Sequence, residues 1–297
     1  MADSLLDTAF EQIRAEIDSL FSDLLAVPPD PRARLFEAMR YAAIGGGKRL
    51  RPLLVVASAG LFHIDRVRAL RVGLAVECIH VYSLIHDDLP SMDDDDLRRG
   101  KPTLHKAFDE ATAILAGDSL HALAFEVLAE AAAHEDPFVR AELIAELASA
   151  SGPSGMAGGQ MMDIAAGDGA LDLAAVTRLQ QLKTGALIGF CLEAGAIMGR
   201  VPPEGRLKLR GYARDVGLAF QIADDLLDEE GDEEKTGKKV GKDRDKGKET
   251  FVTLLGRERA RQQAELLVDQ ATRYLASYGP EADLLRAIAR FAIERDH

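Results

Sequence analysis

The 297-residue chain predicts an all-α fold, a single-domain bundle of long helices. Three observations carry this expectation. Apolar residues recur at three- and four-residue spacings through most of the sequence. Strict alternation over five or more residues, the mark of a half-buried strand, is rare. Several segments between turn signals are long and apolar on more than one face, as the inner helices of a bundle are.

Taken in order, the first segment shows the helical spacing at Leu5, Phe10, Ile13, Ile17, Leu20 and Leu24. Breaks then fall at Val27-Pro28-Pro29-Asp30-Pro31, Gly45-Gly46-Gly47, Pro90, Gly100-Lys101-Pro102, Ser151-Gly152-Pro153, Gly167-Asp168-Gly169, Val201-Pro202-Pro203 and Gly279-Pro280. Between them lie the long apolar segments 70–89, 107–133, 173–199 and 207–229. No fixed-period repeat is present, so a helical array is excluded. The breaks punctuate helices rather than separate domains, and residues 1–297 are expected to form one domain. Residues 229–249, EEGDEEKTGKKVGKDRDKGKE, depart from the pattern: they are charged, glycine-bearing and nearly devoid of apolar side chains. An exposed, mobile loop is expected there.

Lys and Arg number 36 against 49 Asp and Glu, a formal net charge of −13, which argues against nucleic-acid binding. The two cysteines, Cys78 and Cys191, lie in apolar segments without metal-ligand spacing, so neither a disulfide framework nor a zinc site is suggested. The N-terminal segment carries acidic residues where a signal peptide would be basic, and no uninterrupted apolar run is long enough to cross a bilayer. A cytoplasmic protein without stable membrane insertion is expected.

The most informative stretch is His86-Asp87-Asp88-Leu89-Pro90-Ser91-Met92-Asp93-Asp94-Asp95-Asp96-Leu97-Arg98-Arg99-Gly100. In a straight helix Asp87 and Asp93 would stand about 120° apart around the axis, and Pro90 makes an unbroken helix untenable. The helix is expected to end near Leu89, with Asp93 folding back from a loop. Carboxylates would then gather at a helix C-terminus, where the dipole adds to their attraction for a cation. A second cluster, Gln221, Asp224, Asp225 and Asp228, follows i, i+3, i+4, i+7 spacing and forms one polar stripe among Phe220, Ile222, Ala223, Leu226 and Leu227. Three aspartates on one face repel each other and are costly to bury without a cation among them. Oxygen donors without His or Cys point to Mg²⁺. For Asp94–Asp96 and residues 229–234, solvated helix ends remain the better explanation.

Mg²⁺ held by few carboxylates completes its shell with water and substrate phosphates. Gly45-Gly46-Gly47-Lys48-Arg49-Leu50-Arg51-Pro52 offers a flexible backbone and three cations, and Arg98-Arg99 follows the first acidic cluster. The turn lacks the spacing of a nucleotide P-loop.

Together and in this order, GGGKRLRP, HDDLPSMDDDDLRRGKPT, GGQMMDI, KTG and FQIADDLLD resemble the trans-prenyltransferases of the polyprenyl synthase family, most closely bacterial farnesyl diphosphate synthases, over essentially the whole chain. The resemblance implies an isoprenoid-synthase fold with a deep central cavity and a homodimer. It implies Mg²⁺, three ions per site with substrate bound, held by Asp87, Asp88 and Asp93 and by Asp224, Asp225 and Asp228 and bridging to an allylic diphosphate. Lys48, Arg51, His80 and Arg99 resemble the isopentenyl diphosphate pocket. Arg98, Lys183, Thr184, Gln221, Lys238 and Lys248 resemble the groups around the allylic diphosphate. Asp87, Asp93, Arg98, Lys183 and Asp224 would serve catalysis. Substrates would be isopentenyl, dimethylallyl and geranyl diphosphate.

Read alone, several of these residues have plainer explanations: His80 a satisfied core histidine, Thr184 a hydroxyl bonded to its own helix, Gln221 a neutral surface residue, and Lys183, Lys238 and Lys248 solvated lysines. The combined pattern overrides them. His80 and Asp87, seven apart, do share a helix face. Tyr82 and Ser83, five and four residues before Asp87, resemble the chain-length positions, where an aromatic implies farnesyl rather than geranylgeranyl product; ordinary helix packing is the rival for Tyr82. Residues 229–249 would close over the site. A geranylgeranyl diphosphate synthase is the nearest alternative. A terpene cyclase should be more aromatic than 5% with no Trp, and an inactive regulatory subunit should have lost an aspartate motif.

Overall fold

The computed structural model describes residues 2–166, 171–230 and 249–294. The fold is all-α, as the spacing predicts, and divides into two compact units. The first comprises Asp3–Val56 and Ile64–Ile144, the second Ala57–His63 and Ala145–His297.

The first unit opens with α1 (Ala2–Leu24), followed by α2 (Ala33–Ala43) and the first half of α3 (Leu50–Gly60). The face that α1 buries runs Leu6, Phe10, Ile13, Ile17, Phe21 and Leu25, whereas Leu5 is 45% exposed. This differs from the expected stripe at both ends. The four-residue ridge continued through Phe21 and Leu25 buries more apolar area than the alternative through Leu20 and Leu24. Two long helices, α4 (Arg66–Asp87) and α6 (Glu110–Ala129), pack along each other. Asp65 starts α4 by accepting the backbone N–H of Val67 at 3.0 Å, and Asp109 starts α6 through Thr112 at 2.8 Å.

Both helices pass a length and composition test for crossing a membrane, although Glu77 interrupts the apolar run of one and Asp118 that of the other. Their most apolar windows are 61% and 39% buried inside the protein, which a core helix requires equally. Between them stand an antiparallel hairpin, β1 (Leu97–Arg98) with β2 (Lys101–Pro102), and the short α5 (Leu104–Ala107).

The second unit holds the end of α3, the last part of α7 (Pro137–Ser151), α8 (Met156–Ala165) and α9 (Leu173–Gln180). A π-helical turn, Gln181–Gly185, joins α9 to α10 (Ala186–Met198), whose residues from Leu187 onward are almost all buried. There follow α11 (Leu207–Glu230), α12 (Phe251–Leu255), α13 (Arg257–Tyr274) and α14 (Asp283–Glu294). Helices α11 and α13 pack against each other, and Tyr212 in the second turn of α11 is fully buried, its hydroxyl donating to the Leu285 carbonyl at 2.7 Å. The described breaks all fall between helices; Gly167-Asp168-Gly169 lies outside the described residues.

Candidate active site

At the first acidic cluster α4 stops at Asp87, as Pro90 requires, and the chain turns back on itself. The Asp93 N–H donates to the Asp87 carbonyl at 2.8 Å, and the Asp94 N–H to that of Leu89 at 3.2 Å. Asp87 and Asp93, both half-buried, therefore share one turn at the C-terminal end of a helix, where the dipole favours a cation. Asp88 behaves differently. It is 3% exposed, and its carboxylate accepts Arg98 Nε at 2.9 and 2.8 Å and Nη2 at 2.6 Å, a fork-on-fork pair. Burial opposes the charge of Arg98, but the contact with Asp88 outweighs it and raises the guanidinium above its ordinary pKa.

The hairpin presents Arg98 and Arg99. Its two-residue loop, Arg99-Gly100, has φ of 54° and 74° at the two positions, the left-handed pair of a type I′ turn. The Arg99 guanidinium lies on the glycine turn. A Cβ at Gly47 would stand 2.7 Å from Arg99 Nη2, and one at Gly46 2.8 Å from Nη1, so a side chain at either would displace the arginine head, and the φ of 73° at Gly47 itself favours glycine. A cavity of about 200 Å³ opens here, lined by Gly45, Gly46, Gly47, Asp88, Arg98 and Arg99 among others. Lys48, Arg51 and His80 are not among its lining residues.

His80 is set apart from an ordinary histidine by burial first, then by the charges of Arg51, Arg99, Arg98 and Arg49, which together push its pKa well below the usual value. Its imidazole is neutral at physiological pH. The cations of the glycine turn and of the hairpin thus all act on one residue of α4. Tyr82, half-buried on the same helix, packs edge-on to His86 at 5.7 Å and to His121 of α6 at 4.8 Å, and His121 in turn meets Phe125 at 5.4 Å. Ser83 donates its hydroxyl to the His80 carbonyl at 2.9 Å.

In the second unit Gln221, Asp224, Asp225 and Asp228 lie on α11 as the spacing predicts. Asp224 is exposed, Asp228 half-buried and Asp225 5% exposed. Asp225 accepts the Gln221 side-chain amide at 3.1 Å and the Phe251 backbone N–H at 2.9 Å. The second of these satisfies a donor left open at the start of α12. Thr184 donates to Gln221 Oε1 at 3.5 Å, so Thr184, Gln221 and Asp225 form a chain. Lys183, next to Thr184 on the π-helical turn, pairs with Asp163 of α8 at 2.7 Å. A Cβ at Gly159 would stand 2.2 Å from the Lys183 backbone nitrogen, so α8 reaches this turn only because residue 159 is glycine. Lys238 and Lys248 lie outside the described residues, as does most of the 229–249 segment.

A sequence model of polyprenyl synthetases matches residues 32–278. The chain belongs to the polyprenyl synthetase family. The farnesyl diphosphate synthase of Escherichia coli is 44% identical over 286 residues, 95% of this chain and 96% of its own length. That of Bacillus subtilis is 42% identical, over 94% of this chain and 93% of its own. Among solved structures, an apo FPP/GFPP synthase from Zymomonas mobilis superimposes with a TM-score of 0.90 at 61% identity, covering 99% of this chain and all of that one.

Among the described residues of this polyprenyl synthetase, no three His, Cys, Asp or Glu side chains converge to hold a metal by themselves. The donor set nevertheless fits Mg²⁺, which takes one or two carboxylates and completes an octahedron with water and substrate phosphate. Asp87 and Asp93 on one turn, and Asp224 and Asp228 one helical turn apart, offer that number. In both motifs the middle aspartate is instead engaged by the protein. No role was legible in the sequence for Arg49, Glu77, His121, Phe125 or Asp163. Two of them lay in segments that stood out, Arg49 as one of the three cations of GGGKRLRP and Asp163 in GGQMMDI.

Proposed function

We propose that this polyprenyl synthetase is a Mg²⁺-dependent prenyltransferase that condenses isopentenyl diphosphate head-to-tail with dimethylallyl and then geranyl diphosphate, giving farnesyl diphosphate. The observation that carries the reading is the 44% identity to a farnesyl diphosphate synthase across 95% of the chain, with both aspartate motifs intact. We assign the work to the cytoplasm, to a homodimer, and to both units acting as one catalytic domain.

Lys48, Arg51, Arg99 and neutral His80 hold the isopentenyl diphosphate; the arginines fork onto phosphate oxygens and Lys48 adds a point charge. Arg98, Lys183, Thr184 and Gln221, with Lys238 and Lys248, surround the allylic diphosphate. Mg²⁺, three ions with substrate bound, would supply neutralisation of that diphosphate; Asp87, Asp93, Asp224 and Asp228 would hold it, joined by Asp88 and Asp225 where these exchange their present partners for the metal. Asp87, Asp93, Arg98, Lys183 and Asp224 contact the departing group or its counter-ions and are the catalytic residues. The allylic C–O bond breaks with its electron pair leaving on the diphosphate, where the fixed positive charges stabilise it. The isopentenyl double bond then attacks C1, forming the new C–C bond, and the resulting cation loses a proton to the released diphosphate. Apolar walls keep water from the cation.

Purified protein incubated with isopentenyl diphosphate, dimethylallyl diphosphate and Mg²⁺ should yield a C15 alcohol after dephosphorylation, and nothing when the metal is chelated. Absence of elongation with every allylic primer would overturn the reading. A longer product is the second reading, favoured by the Zymomonas mobilis FPP/GFPP synthase at 61% identity. Tyr82 distinguishes the two: Tyr82→Ala should move a C15 product to C20 or beyond, whereas an unchanged product removes Tyr82 from the floor of the site.

A further inference from the structure

Of the three cations in residues 45–52, Arg49 alone is fully withdrawn, its side chain 0% exposed, while Lys48 and Arg51 are half-buried. A guanidinium so placed cannot reach a diphosphate. Its Nη1 donates to Glu77 of α4 at 2.8 Å, and its Nη2 to Asp18 of α1 at 2.6 Å and to the Ala43 carbonyl closing α2. The same group lies 5.6 Å from the Phe21 ring centroid. Asp18 gives its second oxygen to the Gly45 N–H at 3.2 Å, so one carboxylate joins the start of the glycine turn to its end. Three helices and both ends of the turn are thus tied through one side chain, at a residue whose left-handed φ of 56° aims it inward.

We propose that Arg49 and Glu77 are positioning residues, a buried staple that sets the glycine turn so that Lys48, Arg51 and Arg99 meet the isopentenyl diphosphate together. Glu77 does two things. It holds Arg49, and its charge supports Arg99, whose own charge is opposed by burial and by Arg49, Arg98 and Arg51. Its second oxygen, Oε2, is buried and takes no protein hydrogen bond, so the hydrogen bonding of this carboxylate is directed at Arg49. A lysine cannot replace Arg49, because one ammonium on a flexible stem does not span two carboxylates and a carbonyl in a fixed fork.

The proposal rests on the assignment of Lys48 and Arg51 to isopentenyl diphosphate, and the experiment separates the two. Steady-state constants for both substrates are measured for wild type, Lys48→Ala, Arg49→Lys and Glu77→Gln. Arg49→Lys and Glu77→Gln should each raise KM for isopentenyl diphosphate about tenfold while KM for the allylic diphosphate stays within about twofold. If Lys48→Ala raises KM for isopentenyl diphosphate but neither staple variant does, or if they shift both substrates alike, the staple is overturned. If Lys48→Ala has no effect, the underlying pocket assignment fails instead. Should Arg49→Lys not fold, Asp18→Asn cuts one arm of the fork at a carboxylate 22% exposed and carries the same comparison. A purely structural residue would lower the active fraction, and with it kcat, without selecting one substrate.

Discussion

The two aspartate motifs both open on a pair of adjacent aspartates but differ in spacing and in chemistry. In each the second aspartate is buried, yet Asp88 is neutralised by a full positive charge on Arg98, whereas among the described residues Asp225 is met by an amide and a backbone N–H. A buried carboxylate matched by a guanidinium depends on that partner almost completely, because removing it leaves an uncompensated charge. A carboxylate among dipoles shares the burden and loses less when one donor goes. The first motif should therefore be brittle where the second is tolerant.

The largest expected effect is on the first motif. Arg98→Gln should destabilise the protein by about 3 kcal/mol, read from the denaturant midpoint, and adding Asp88→Asn should recover much of that loss. Simple additivity of the two changes would break the comparison. Gln221→Ala should cost about 1 kcal/mol, since Asp225 keeps the Phe251 N–H. A loss as large as that of Arg98→Gln would show the second motif to be equally dependent on one partner.

The smallest effect is a pH dependence specific to the first unit. The pKa of His80 is depressed on folding, so between its folded value and about 6.5 the unfolded chain binds more protons than the native one. Stability contributed by the neutral imidazole is complete above pH 6.5 and declines as pH falls towards the folded value. Thermal unfolding followed from pH 7 to 5 should show that decline, and His80→Gln should flatten it. An unaltered slope in the variant would assign it to other groups.

Much of this was legible in the sequence. Three- and four-residue apolar spacing located the helices, and Pro90 told where α4 must stop and why Asp93 folds back. The polar stripe of α11 followed from spacing alone. The hairpin at 97–102 was not legible, because strands of two residues are too short to show alternation. Without the hairpin, the pairing of Asp88 with Arg98, ten residues apart, could not be foreseen. Nor could composition separate Arg49 from Lys48 and Arg51: all three are cations in one turn, and the sign of one backbone angle sends Arg49 inside. The exchange of Leu20 and Leu24 for Phe21 and Leu25 on α1 reflects two ridges of similar apolarity, decided by bulk and by the guanidinium above Phe21. Lys183 resembles a group beside the allylic diphosphate, and its pairing with Asp163 was not legible because that partner comes from another helix.

The π-helical turn at Gln181–Gly185 acts as a phase shifter. A turn of this kind accommodates one extra residue, so the helix after it is rotated by about 100° relative to the one before. The apolar residues of α9, Val176 and Leu179, are consequently written in a different frame from α10, which is itself buried on nearly every face. The extra residue also lets neighbours in sequence serve neighbours in space, Lys183 reaching α8 and Thr184 reaching α11. Deleting one residue between 181 and 185 would bring the two frames back into step, carrying every later side chain of α10 to the wrong bearing while leaving the helix itself intact.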